Sequence, residues 1–156
     1  MMKVKNIQVI IYLAILFLFT NHAWAADWIF FTQSETGNNY YDKSTIKKVN
    51  KTIGRVLTKT IYNEGGKKDA FLYLKSIGSA PDNADLLSHE LVLFEFDCVN
   101  KKNRISSILF YDKKGEILYF IPKTTEKMTN IPPGTDMETL KNIVCSAGET
   151  SKTKKK

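Results

Sequence analysis

Histidine is almost missing from this chain. There are two, His22 and His89, and His22 falls in an N-terminal stretch that reads as removable. A metal site needs three or four ligands at defined spacing, and His89 has no second histidine to help it. His89 stands beside Glu90 at the start of an apolar stretch and reads as a surface residue at a strand end. No Gly-x-Ser-x-Gly elbow, phosphate-binding glycine loop or dinucleotide fingerprint accompanies it. Gly65-Gly66 is too short to be more than a turn. Neither a metal, nor a cofactor, nor a catalytic constellation is expected. Cysteine is equally scarce, with Cys98 and Cys145 alone. Their spacing excludes a CxxC redox or zinc arrangement.

Acid is absent from Met1 to Ala25, which carries only Lys3 and Lys5 as charges. A run of about fourteen mostly apolar residues follows, Ile7 to Thr20. It is shorter than the roughly 20 residues that a spanning helix needs. Ala23-Trp24-Ala25 then fits a small-x-small cleavage site. This order reads as a secretory signal peptide over residues 1–25. No cysteine lies near the cleavage point, so no lipid or other stable membrane anchor is expected after it. The remaining chain of about 130 residues suits one domain, over residues 26–148. Removing Lys3 and Lys5 from the formal +7 leaves +5. Much of that excess sits in a basic tail at 149–156, whose composition suggests disorder. In an exported chain, two cysteines favour one disulfide, Cys98–Cys145. The alternative, a reactive thiol, would need a basic neighbour.

Leu91 to Cys98 is the strongest strand. Period-two alternation puts Val92, Phe94, Phe96 and Cys98 on an apolar face and Leu91, Leu93, Glu95 and Asp97 on the other. Further strands are expected at 27–34, 39–42, 52–62, 104–111 and 116–121, and Leu91–Cys98, 104–111 and 116–121 follow one another with short turns between them. That predicts an antiparallel meander. Asn63-Glu64-Gly65-Gly66 reads as a turn. The segment 67–88 is ambiguous between strand and helix. Thr135-Asp136-Met137-Glu138 reads as a capping box opening a helix from Asp136 to about Cys145. Met137, Leu140 and Val144 form its apolar stripe. The expected class is α+β: one antiparallel sheet of about six strands, with the C-terminal helix packed on one face and tethered by the disulfide.

Two surfaces stand out. Glu95 and Asp97 share a strand face and read as a solvated pair bridged to Lys101, Lys102 or Arg104 rather than as acid/base catalysts. Lys43, Lys47, Lys48, Lys51, Arg55 and Lys59 cluster in sequence near Tyr40, Tyr41 and Tyr62. Of these, Tyr40, Tyr41, Lys47, Lys48, Lys51, Arg55 and Lys59 are the candidate binding surface. Its chemistry suits a protein or acidic glycan partner, and a merely solvated face is the alternative. Export argues against nucleic acid.

Several segments in order resemble the surface-adhesin protein E family of Gram-negative bacteria. They are Trp28, Tyr40-Tyr41-Asp42, Ser44 to Ile46, Phe96-Asp97-Cys98, Arg104-Ile105, Ile131-Pro132-Pro133-Gly134-Thr135 and Cys145. Met128 stands where members often carry Trp. The resemblance implies a helix disulfide-linked onto the concave face of a sheet. It also implies adhesion to host matrix or plasma proteins, in some members as a homodimer. The expectation is an exported, non-enzymatic binding module, located in the periplasm or at the cell surface. The competing expectation is a periplasmic structural protein of the envelope with no host partner.

Overall fold

The computed structural model of the chain describes residues 26–122 and 127–147. The expected signal peptide and basic tail lie outside the described residues, as does Gly148. The elements are β1 (Trp28–Ser34), β2 (Gly37–Asp42), β3 (Lys47–Lys48), β4 (Ile53–Tyr62), α1 (Glu64–Ser76), β5 (Leu87–Asp97), β6 (Lys102–Asp112), β7 (Ile117–Ile121), β8 (Thr129–Asn130) and α2 (Asp136–Ala147). Every paired strand is antiparallel, in the order β1-β2-β4-β5-β6-β7. The two-residue strands β3 and β8 add to β4 and β6. The six-strand sheet and the β5–β6–β7 meander are as the alternation predicts.

One sheet face is covered by helices. Val56, Val92, Phe94, Phe96, Ile108 and Phe110 point into a core shared with Ala70 and Leu74 of α1 and with Leu140 and Val144 of α2. Cys98 and Cys145 are bonded, which pins the end of α2 to the end of β5. Beside that bond, α2 lies directly on β4 at Gly54. A Cβ there would sit 2.7 Å from Val144 Cγ1, so a strand glycine marks a close helix approach. Thr135 Oγ1 accepts from the Glu138 amide at 3.3 Å, and the Glu138 carboxylate takes the Gly134 amide at 2.8 Å. The expected capping pair is therefore used, with its return bond moved one residue upstream.

The second helix corrects the reading of 63–66 as a turn. Asn63 is the N-cap of α1, its side chain accepting from the Gly66 amide at 2.9 Å. Glu64, Gly65 and Gly66 form the first helical turn. Two adjacent glycines mask that start, because glycine disfavours helix interiors. Here Gly66 is required sterically: a Cβ would come within 2.0 Å of the Thr36 carbonyl oxygen in the β1–β2 turn. The ambiguous segment 67–88 is thus helical as far as Ser76, where α1 ends, and then continues through a loop, a 3-10 turn at Ala84–Leu86 and the start of β5.

Candidate binding surface

No helix covers the other face of the sheet among the described residues. Residues opposite one another in antiparallel pairs share a face, so the register can be read straight across. Phe30 faces Tyr40, Tyr40 faces Lys59, Lys59 faces Leu91, Leu91 faces Leu109, and Leu109 faces Phe120. One row therefore crosses all six main strands. A neighbouring row runs Asn38, Ile61, His89, Tyr111, Ile117. On the other side lie Leu57 and Leu93, then Lys47, Arg55, Glu95 and Arg104. Phe30, Ile117 and Phe120 are each about half exposed, at 53%, 57% and 49%. Ile117 and Phe120 lie together on β7 and Phe30 on the opposite edge strand, with the partly buried Leu91 and Leu109 between them, and open apolar side chains on one face mark an interaction surface.

The ordered features of this face are electrostatic as well as apolar. The Lys59 ammonium lies 4.5 Å from the Trp28 ring centroid and 5.8 Å from that of Tyr40, an aromatic seat for a cation. Phe30 meets Tyr40 edge-on at 5.6 Å. His89 stacks on Tyr111 at 4.7 Å. Partial burial, and then the nearby Lys59 charge, hold the His89 imidazole below its ordinary pKa, against a smaller opposing pull from Asp112. Arg104 donates to Glu95 Oε2 through Nε at 2.9 Å and Nη2 at 2.6 Å. The expected bridge from Glu95 to Arg104 is present, but Glu95 is not solvated: only 5% of it is exposed. Asp97 does not pair with it. Its carboxylate accepts from the Val99 and Asn100 amides and the Asn100 side chain in the β5–β6 turn. Those bonds to Asn100 hold its pKa low.

The sequence cluster divides across the sheet. Tyr40, Lys47, Arg55 and Lys59 share the helix-free face. Tyr41 lies on the helix side, against Phe31 at 6.2 Å. Lys48 pairs with Gly54 and, with Lys51, borders a shallow hollow beside the disulfide and Lys141 of α2. The apolar half of the surface, Leu91, Leu109, Ile117 and Phe120, was not singled out from sequence. Alternation in β5 separated Leu91 from the core, but only the register joins it to β6 and β7. No group of three or more His, Cys, Asp or Glu suited to a metal occurs among the described residues. No described helix is long and apolar enough to cross a membrane.

With this geometry in hand, comparison with family models is decisive. The model for surface-adhesin protein E matches residues 28–146. The chain belongs to the surface-adhesin protein E family. The match spans both helices and every strand of the sheet, so the fold and the family coincide over the same residues. Comparison with curated proteins and with solved structures returns no match. The family points to a surface adhesin-like binding module without enzymatic activity, and to an exported or surface protein.

Proposed function

We propose that the chain is an exported binding module whose helix-free sheet face docks an acidic protein at the bacterial envelope or on a host surface. The observation that carries this reading is the six-strand row from Phe30 to Phe120, with Lys59 at its centre. Lys47, Arg55 and Arg104 flank it, and Glu95 offsets one of those charges. An apolar strip edged by cations fits a partner that presents acidic groups around apolar side chains. Charge then sets encounter rate and orientation, while apolar contact supplies the holding energy.

The test uses the chain shortened to end at Gly148, so that the lysine tail cannot contribute. Its binding to immobilised extracellular-matrix proteins and to heparin is measured across a salt series, with Arg55→Ser and Lys59→Ser alongside. Binding to protein that weakens as salt rises, and weakens further in both variants, supports the reading. The Debye length falls from about 10 Å at 0.1 M to about 3 Å at 1 M. Preference for heparin over every protein would make the partner a glycan. Binding that survives both substitutions, or that vanishes with the tail alone, rejects the face as the docking surface.

A further inference from the structure

The opposite side of the sheet holds a separate feature. Between α1 and α2 the helices leave part of the sheet uncovered, and a cleft opens there. It comprises two adjoining cavities of about 260 and 440 Å³ that share Thr36, Glu90, Val92 and Phe94 as lining. The larger is bounded by Ala70 and Tyr73 of α1 with Ile108 and Phe110 of β6. The smaller is bounded by Met137 and Leu140 of α2 with Phe31 and Thr58. Their sizes fall around the range of small-molecule sites, roughly 300–1,000 Å³.

Charge within the cleft is of one sign. Glu90 stands at the junction, Asp69 lies on the α1 side and Asp136 on the α2 side, and no lysine, arginine or histidine lines either cavity. That is unexpected in a protein of net charge +7. Glu90 Oε2 accepts from the Tyr62 hydroxyl at 2.8 Å, which positions the carboxylate and leaves it without a cation. Burial raises the Glu90 pKa against the opposing hydrogen bonds of Tyr62 and Thr60. Burial, and then the Glu90 charge, raise that of Tyr62. The Glu90 shift reflects a carboxyl group desolvated by burial, whose charged form a positive group would stabilise.

We propose that this cleft binds a small organic cation, a protonated amine carried on an aromatic or aliphatic body. The ammonium sits on the Glu90 carboxylate, with the Tyr62 hydroxyl keeping its own bond to the same group. The body lies over Val92 and Phe94 and against Tyr73 and Phe110, rings that also attract cations. This site is independent of the docking face, since it lies on the other side of the sheet.

The test compares three probes of similar shape on the full exported chain: phenethylammonium, the neutral 3-phenylpropan-1-ol and the anionic 3-phenylpropanoate. Binding is followed by NMR shift perturbation. The expected result is saturable binding of the cation at least about tenfold tighter than that of either other probe, with shifts centred on Val92, Phe94 and Tyr73. A charged hydrogen bond of about 1.5–3 kcal/mol corresponds to a loss of roughly ten- to a hundredfold in Glu90→Gln. In the same variant the alcohol should bind as before. Equal binding of the three probes, preference for the anion, shifts centred elsewhere or no saturable binding would each overturn the proposal. Because the three-probe comparison uses the unaltered protein, it decides the question even where Glu90→Gln does not fold.

Discussion

On the helix-covered side of β5, Val92, Phe94 and Phe96 are buried, Phe96 completely. On the opposite side of the same strand, Leu91 and Leu93 are only partly buried, although they are just as apolar. The two sides differ in what lies over them. One meets two helices, one of them fixed by a disulfide. The other meets no element among the described residues. A strand whose both faces are apolar normally lies in a sheet covered on both sides. Among the described residues no second cover is seen, and the half-open apolar row on that face is the reason for proposing a partner there.

The largest expected effect is on the covered side. Replacing Cys98 and Cys145 together by serine opens a loop of 48 residues, counting both cysteines, and should cost roughly 4 kcal/mol by the chain-entropy model. Urea unfolding of the oxidised, reduced and variant proteins checks it, with the reduced protein matching the variant. A matched pair of truncations sharpens the contrast. Phe96→Ala should lower stability by about 3–5 kcal/mol, since it leaves a cavity under α2. Leu91→Ser on the open face should cost under about 1 kcal/mol, because surface substitutions usually do. Comparable losses for the two would mean that the second face is covered after all.

A smaller effect tests the edge of the open face. Arg104→Ala leaves Glu95, 5% exposed, with only its neighbour Arg55 across the strand pair. Because the Arg104 side chain is itself 31% exposed, solvent screening reduces the cost of breaking a buried pair to about 1–2 kcal/mol. Denaturant midpoints with Glu95→Gln and the double variant give the coupling. The smallest effect is that of His89. Its folded pKa lies below the ordinary 6.5, chiefly through burial, so the unfolded chain binds the proton first. Stability should therefore decline as pH falls through about 6.5 towards the folded value. His89→Gln should flatten that part of the profile, measured as melting temperature against pH.

The parts legible in the sequence were those that depend on one strand or one helix. Alternation in Leu91–Cys98 identified the core face, and the two cysteines joined it to the helix carrying Leu140 and Val144. Features that depend on contacts between distant segments were not legible. The start of α1 was hidden because Gly65 and Gly66 look like a turn, and the demand for glycine at Gly66 comes from the Thr36 carbonyl, thirty positions upstream. The lysine cluster looked like one surface because its members are neighbours in sequence. Alternation across the β3–β4 turn sends Lys47, Arg55 and Lys59 to one face and Lys48 to the other. The open apolar row needed the register of five strand pairs at once.

The central claim is that the helix-free face is where this adhesin-family protein meets its partner, and carbene footprinting tests it most directly. The chain ending at Gly148 is labelled with a diffusible diazirine, alone and while bound to the matrix protein captured in the salt-series experiment. The account predicts that Phe30, Leu91, Ile117 and Phe120 lose label on binding, while the exposed Leu72 and Ile77 of the α1 side keep theirs. Protection of Leu72 and Ile77 with the Phe30–Phe120 row labelled as before would contradict it.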